Sequence, residues 1–309
     1  MVVVGAGAVG SFFGALLARA GHHVTLIGRP AHVEAIARDG LRLQMQGQDI
    51  RVALHATTDI EAVRDAEVVL VCVKSRDTEA LARQIAPLLA ADALVLSLQN
   101  GVDNPATLAA RIRQPVIAVA VYVAAALAEP GLVRHFGRGE LVLGPADAAA
   151  ARDAALQRRL QALADVFASA QVPVRVSTTV MDDLWAKLLV NCAFNAISAL
   201  TRQPYGRMVE QPEIRDLQEA LVREVLEVAR ASGHALDPRQ ARESVREIGR
   251  SMAGQLSSTA YDLMRGKPTE IDDLNGVIVR RGAELGIATP ANQSLYALVR
   301  LAQTAAAPA

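Results

Sequence analysis

Gly5-Ala6-Gly7-Ala8-Val9-Gly10 follows three valines and opens an apolar, helix-like stretch. Glycines at this spacing allow a tight turn, close approach of a pyrophosphate to backbone, and close packing of helix on strand, while the helix N-terminus attracts the anion. The chemistry this predicts is dinucleotide binding; the plain alternative is a glycine-rich turn chosen for packing. The next apolar run, Val24-Ile27, ends in Gly28-Arg29. An acid there would hold ribose hydroxyls and repel a 2′-phosphate, whereas an arginine can pair with that phosphate. Arg29 therefore points to NADPH/NADP+, unless it is only a solvated strand-end charge.

Of 32 basic residues only Lys74, Lys187 and Lys267 are lysines. A lysine kept in such a chain suits a place where arginine will not do, because an ammonium can be tuned to release its proton. Two of the six asparagines, Asn191 and Asn195, follow Lys187 at i+4 and i+8 in an otherwise apolar segment. All three share a helical face that is expected to be partly buried. A buried ammonium flanked by amides needs a partner, and a substrate carbonyl or carboxylate would serve. A structural cluster tying helices together is the other reading. Further on, Ser257-Ser258 and Thr269-Glu270-Ile271-Asp272 combine hydroxyls with carboxylates; Glu270 and Asp272 are equally readable as first-turn acids favoured by a helix dipole.

These groups need elements to hold them. At 309 residues the chain is long enough for two domains. Strands are predicted at Val2-Val4, Val24-Ile27, Val68-Val73, Ala93-Leu98 and Val116-Val123, alternating with helices at 9–20, 31–38, 77–90 and 104–112. Continuous apolar strands separated by helices imply a parallel sheet covered on both faces, hence a doubly wound α/β domain. Leu41-Met45 and Ile50-Leu54 suggest a hairpin around Gly47. Two short strands around Gly137 and Gly139 are expected to extend the sheet antiparallel. After Val172-Val176 the period is helical, with breaks at Pro204, Pro212, Gly233, Pro238, Gly266-Pro268 and Pro290. The reading is an α/β domain over 1–176 and an all-helical domain over 177–309, with only the tail after 303 disordered. The shortness of the first strand predicts a native start upstream of Met1.

Composition narrows the function classes. The 32 acidic and 32 basic residues cancel, which removes the electrostatic footprint of a nucleic-acid binder. Cys72 and Cys192 lie in apolar stretches, so a disulfide framework is not expected and a reducing, cytoplasmic setting is. No histidine pair has ligand spacing, and no bound metal is expected. Val116 to Ala128 falls short of the roughly 20 residues that span a bilayer, and the uncharged start lacks the basic leader of an export signal; no membrane role is expected.

With GAGAVG at 5–10 the chain carries Val73-Lys74-Ser75, Gln99-Asn100-Gly101, PGLVRHFGRG from Pro130, WAKLLVNCAFNAISAL from Trp185 and SSTAYDLMRGKPTEIDDLNG from Ser257. In this order the sequence resembles the ketopantoate reductase (2-dehydropantoate 2-reductase) family over essentially its whole length. The resemblance implies a Rossmann-type domain, a helical domain, and NADPH-dependent reduction of a 2-oxo acid in a cleft between them. It implies that Lys187 is the catalytic proton donor and that Asn100, Asn191, Asn195 and Ser258 contact substrate. It also implies cofactor contacts from Gly5, Ala6, Gly7, Ala8, Val9, Gly10, Lys74, Asn100, Ala125 and Glu270, beside Arg29 already read at the strand end, with Glu270 near enough to orient substrate.

Two departures bear on the substrate. Ala120-Val121-Tyr122-Val123 stands where the well-known enzymes have a hydroxyl-rich turn, and Tyr205 where they have asparagine after the proline. Ketopantoate is the leading substrate, and a branched, aromatic or bulkier 2-oxo acid is the alternative. A non-catalytic NADP(H)-binding sensor would lack a donor lysine, and a 3-hydroxy acid dehydrogenase would lack the Thr269-Asp272 element. The apolar segment Leu217-Ala229 is readable as a homodimer face or as internal packing.

Overall fold

The structure is a computed structural model that describes residues 1–147 and 149–306. They form two compact units, one of Met1–Gln99 with Asp103–Val180, the other of Asn100–Val102 with Met181–Ala309. The tail expected to be disordered after 303 is helical through Ala306, and its last three residues lie outside the described residues.

The first unit begins β1 (Val2–Val4), α1 (Ala8–Arg19), β2 (Thr25–Ile27), α2 (Pro30–Asp39), β3 (Leu41–Met45), β4 (Gln48–Val52), β5 (His55–Thr57) and β6 (Val68–Val71). It continues α3 (Thr78–Ile85), β7 (Leu94–Ser97), α4 (Asn104–Ala109), β8 (Val116–Glu129), β9 (Leu132–Pro145), α5 (Ala154–Ser169) and β10 (Val174–Val176). All ten strands share one sheet in the order β4-β3-β9-β8-β7-β6-β1-β2-β5, with β10 on β9. Pairing is parallel from β5 through β8, as continuous apolar strands require.

Alternate residues of these strands serve different faces. Val3, Leu70, Leu94 and Leu96 pack with Phe12, Phe13, Leu16 and Leu17 of α1 and Leu160 and Phe167 of α5. Val2, Val4, Val69, Val71 and Val95 pack with Leu81, Ala82 and Ile85 of α3 and Leu108 of α4. Each fully buried Leu or Phe stabilises by roughly 1.5–3 kcal/mol, which makes the sheet's centre a rigid base for the loops at its strand ends.

Several expectations change in this unit. Gly137 and Gly139 do not separate two strands: β9 is a single 14-residue strand. At these glycines φ is +146° and +154° and at Arg138 +61°, and the pairing with β8 shifts register beside them. Glycine here permits a bulge, which bends a strand without ending it. The strand expected at Val116-Val123 runs on to Glu129 as β8, and its burial falls away beyond Val121. Helix α3 stops at Ile85 instead of running to 90, because Pro87 has no N–H to continue it. The hairpin turns at Gln46-Gly47, around Gly47 as expected, and its second strand begins at Gln48, two residues before Ile50. Edge strand β5 was not anticipated.

The second unit is helical among the described residues: α6 (Val180–Thr201), α7 (Tyr205–Glu210), α8 (Pro212–Ala231), α9 (Pro238–Ser251), α10 (Ser258–Met264), α11 (Asn275–Leu285) and α12 (Pro290–Ala306). Pro212, Pro238 and Pro290 each start a helix, where the missing N–H costs nothing. Helix α6 is long and apolar enough to cross a bilayer, yet 67% of its most apolar window is buried, as in a core helix. On α8 the residues Leu221, Val222, Val225, Val228 and Ala229 are buried by internal packing, while Leu217 and Leu226 are half-buried.

Candidate active site

The glycine loop hangs from the end of β2: the N–H groups of Gly5 and Ala6 both donate to the Ile27 carbonyl, at 3.0 and 2.9 Å. Gly5 has φ +104°, and a Cβ on it would stand 2.7 Å from the Cys72 and Val73 backbone. A Cβ on Gly10 would meet the Gly5 carbonyl oxygen at 2.4 Å. Gly7, at the N-cap of α1, is different, because a Cβ there would meet nothing within 4 Å and no side chain caps the helix. Ala8, Val9 and Gly10 form the uncapped first turn of α1. Open space in front of uncapped N–H groups fits a pyrophosphate.

At the end of β2, Arg29 occupies the N-cap of α2; its guanidinium is exposed and makes no hydrogen bond or ion pair with the described residues. Lys74 follows β6 and precedes a single 3₁₀ turn, Ser75–Asp77. Beneath that turn runs a buried relay absent from the sequence reading. Ser97 Oγ donates to Gln99 Oε1 at 3.2 Å, and Gln99 Nε2 donates to the Val73 carbonyl at 3.1 Å and to Thr78 Oγ1 at 2.6 Å. Thr78 then donates to Asn104 Oδ1 at 2.8 Å, and Asn104 Nδ2 to Ser75 Oγ at 2.9 Å. Amides among apolar strand residues were the available signal, since each must find partners once buried. Ala125 is half-buried in β8, opposite His135. Tyr122 is half-buried beneath the Arg138 guanidinium, 4.7 Å from its ring centre.

In the second unit Lys187, Asn191 and Asn195 line one face of α6, the first two half-buried and the third 4% exposed. Lys187 Nζ donates to Asn100 Oδ1 at 2.9 Å, and Asn100 Nδ2 donates to Glu270 Oε2 at 2.9 Å. The amide thus turns its oxygen to the ammonium and its NH₂ to the carboxylate, the orientation that satisfies both. Glu270 caps no helix with its side chain, and Asp272 is engaged by Tyr296 and Arg300, at 2.8 Å each. Asp272 thus keeps its expected first-turn place, in the short 3₁₀ helix Ile271–Asp273, while Glu270 at the N-cap turns its carboxylate to Asn100.

Asn195 is held at both ends: its Oδ1 accepts from the Tyr205 hydroxyl at 3.4 Å, and its carbonyl from Ser257 Oγ at 3.0 Å. Ser257 also caps α10 through the Ala260 N–H, while Ser258 beside it is exposed. Tyr205 lies against Phe194, ring centres 4.6 Å apart, and burial pushes its phenol above the usual range. Behind α6, Glu224 accepts from the N–H groups of Ala291 and Asn292, both at 2.9 Å, and from Asn292 Nδ2 at 2.8 Å. Asn275 Nδ2 links Asn292 Oδ1 to the Cys192 carbonyl, at 2.9 and 3.4 Å. Burial, with Glu224 nearby, pushes the Cys192 thiol up and keeps it neutral. The structure thus joins Lys187, Asn100 and Glu270 directly, and reaches Ser258 from Asn195 only through its neighbour. Asn191 makes no side-chain hydrogen bond with the described residues.

The family described as ketopantoate reductase PanE/ApbA matches residues 1–148, and its C-terminal counterpart matches residues 179–303. A 2-dehydropantoate 2-reductase of Halobacterium salinarum is 36% identical over 98% of both chains, and one of Archaeoglobus fulgidus is 34% identical over 96% of both. The crystal structure of a PanE/ApbA family ketopantoate reductase from Ralstonia eutropha JMP134 aligns with TM-score 0.89 and 50% identity over 99% of each chain. At 24% identity, D-mandelate dehydrogenase, solved with NADH and anilino(oxo)acetate, aligns with TM-score 0.91 and shows likeness of fold. With both halves matched and relatives aligned nearly end to end, the chain belongs to the ketopantoate reductase family of pyridine-nucleotide-dependent oxidoreductases, enzymes that act on a small-molecule substrate.

Proposed function

We propose that the chain reduces 2-dehydropantoate to pantoate with NADPH, residues 1–176 binding the dinucleotide and 177–309 carrying the substrate and proton-donating groups. The observation that carries this reading is the Lys187–Asn100–Glu270 chain, an ammonium with one proton directed by a fixed amide. The glycine loop would hold the pyrophosphate, Arg29 the 2′-phosphate, and Lys74, Ala125, Asn100 and Glu270 the remainder of the cofactor. The bound cofactor supplies the hydride. Lys187 gives a proton to the ketone oxygen as the carbonyl carbon is reduced, and its charge stabilises the developing alkoxide. Asn100 aims the ammonium, Asn191, Asn195 and Ser258 fix the substrate's carboxylate and polar groups, and Glu270 orients the substrate.

A second reading keeps this chemistry and changes the substrate to a bulkier 2-oxo acid. It is favoured by the buried Tyr205 on Asn195 and by Tyr122 in β8. Purified protein given NADPH and a series of 2-oxo acids separates the two through loss of NADPH absorbance. Preference for ketopantoate supports the first reading, preference for a larger acid the second, and tight NADPH binding without turnover removes both. The cytoplasm suits two free cysteines, and a homodimer is compatible with this chemistry without being needed for it.

A further inference from the structure

His32 belongs to no element of the reaction described so far, yet it is only 4% exposed and both ring nitrogens are engaged. Its Nδ1 lies 2.8 Å from the Gly131 backbone nitrogen, whose N–H can only donate. Nδ1 must therefore carry the lone pair, and Nε2 carries the hydrogen, which points to Ser11 Oγ at 3.1 Å. Burial lowers the imidazole's pKa and keeps this neutral tautomer.

The three partners meet at one place. Ser11 follows Gly10 in α1, Gly131 forms the turn from β8 to β9, and His32 sits in the first turn of α2, its own N–H donating to the Arg29 carbonyl at 3.0 Å. Gly28 is packed so tightly that a Cβ would stand 2.8 Å from Ala6 Cβ and 3.8 Å from the His32 ring. The Gly28-Arg29 turn is thus held between the glycine loop and the imidazole. Arg29, whose side chain has no partner among the described residues, depends on that turn for its direction.

We infer that His32 is a positioning residue for cofactor choice: by pinning the Gly28-Arg29 turn to α1 and to the β8–β9 turn, it aims the Arg29 guanidinium at a dinucleotide's 2′-phosphate. This rests on the NADPH reading above. A rigid guanidinium meets a phosphate without first ordering its backbone, whereas a dinucleotide lacking that phosphate gains nothing from the arrangement.

Binding of NADPH and of NADH to the full chain, each measured by calorimetry, tests the inference. His32→Leu should weaken NADPH by about tenfold and leave NADH within about twofold. Ser11→Ala should shift the same ratio less, and His32→Gln, which keeps a donor and an acceptor, should restore part of it. In an Arg29→Ala background, His32→Leu should cost NADPH nothing more, since the two act as one unit. Equal weakening of both cofactors, or none, would overturn the inference while leaving the NADPH reading intact. Should His32→Leu fail to fold, Ser11→Ala decides by the same ratio. A wild-type chain without preference for NADPH would overturn the NADPH reading, and this inference with it.

Discussion

The two units present their candidate binding groups in opposite ways. At the glycine loop the groups on offer are main-chain N–H groups, and the side chains matter by being missing: Gly7 leaves open space where any Cβ would stand. On α6 and its neighbours the groups are side chains, each oriented by another, as Asn100 is by Lys187 and Glu270. A backbone site is broken by adding atoms, and a side-chain site by removing them. On the proposed reading, the first should resist most substitutions in its surroundings but tolerate no bulk, and the second should fail when one proton or one amide is lost.

The sharpest separation should come from Lys187→Ala. Turnover is expected to fall by about 10²- to 10⁴-fold, the usual worth of a placed general acid, with NADPH affinity retained by calorimetry. Equal loss of both would mean that the two surfaces are not independent. Next come two glycine changes with contrasting outcomes. Gly5→Ala forces a side chain to φ +104° against backbone at 2.7 Å and should cost at least about 1–3 kcal/mol in urea denaturation. Gly7→Ala adds a methyl in open space; stability should stay within about 1 kcal/mol while cofactor affinity drops about tenfold. A Gly7→Ala chain that binds cofactor normally would break the comparison.

Smaller still is Tyr205→Phe, which deletes one long hydrogen bond to Asn195 and should raise KM for the 2-oxo acid by about threefold, with kcat little changed. The mildest effect concerns pH. His32 is held neutral by burial, its pKa below the ordinary 6.5, so under acid the unfolded chain binds a proton the folded one refuses. Its contribution is complete above pH 6.5 and is lost as pH falls towards the lowered folded value. His32→Gln should flatten the slope of stability against pH in that window, measured by urea midpoints; an unchanged slope would show that other groups set it.

Much of this was legible from residue order because it rests on local pattern. Val68-Val73 and Ala93-Leu98 read as buried parallel strands and hold β6 and β7, and three of the breaks read from proline, at 212, 238 and 290, fall at helix starts. β9 was misread because glycine signals a turn by composition, whereas its pairing with β8 along the whole length makes Gly137 and Gly139 a bulge. β5 carries no apolar pattern of its own and exists through its pairing with β2. For the candidate site, spacing put Lys187, Asn191 and Asn195 on one face. That Asn100 and Glu270 meet Lys187 there is a long-range fact, which resemblance implied and spacing could not. The Ser97–Gln99–Thr78–Asn104–Ser75 relay and the His32 clamp went unread because their members lie far apart in the chain and no local period connects them.

Asn100–Val102 interrupts the first unit in sequence but belongs to the second. Evolution by shuffling therefore meets an obstacle here: a gene fragment encoding residues 177–309 would lack the amide that joins Lys187 to Glu270, and a graft onto a foreign nucleotide-binding partner would inherit whatever that partner carries at the equivalent turn. The two halves should diverge as a linked pair, with exchange between distant relatives penalised at this single tripeptide even where every helix and strand is compatible.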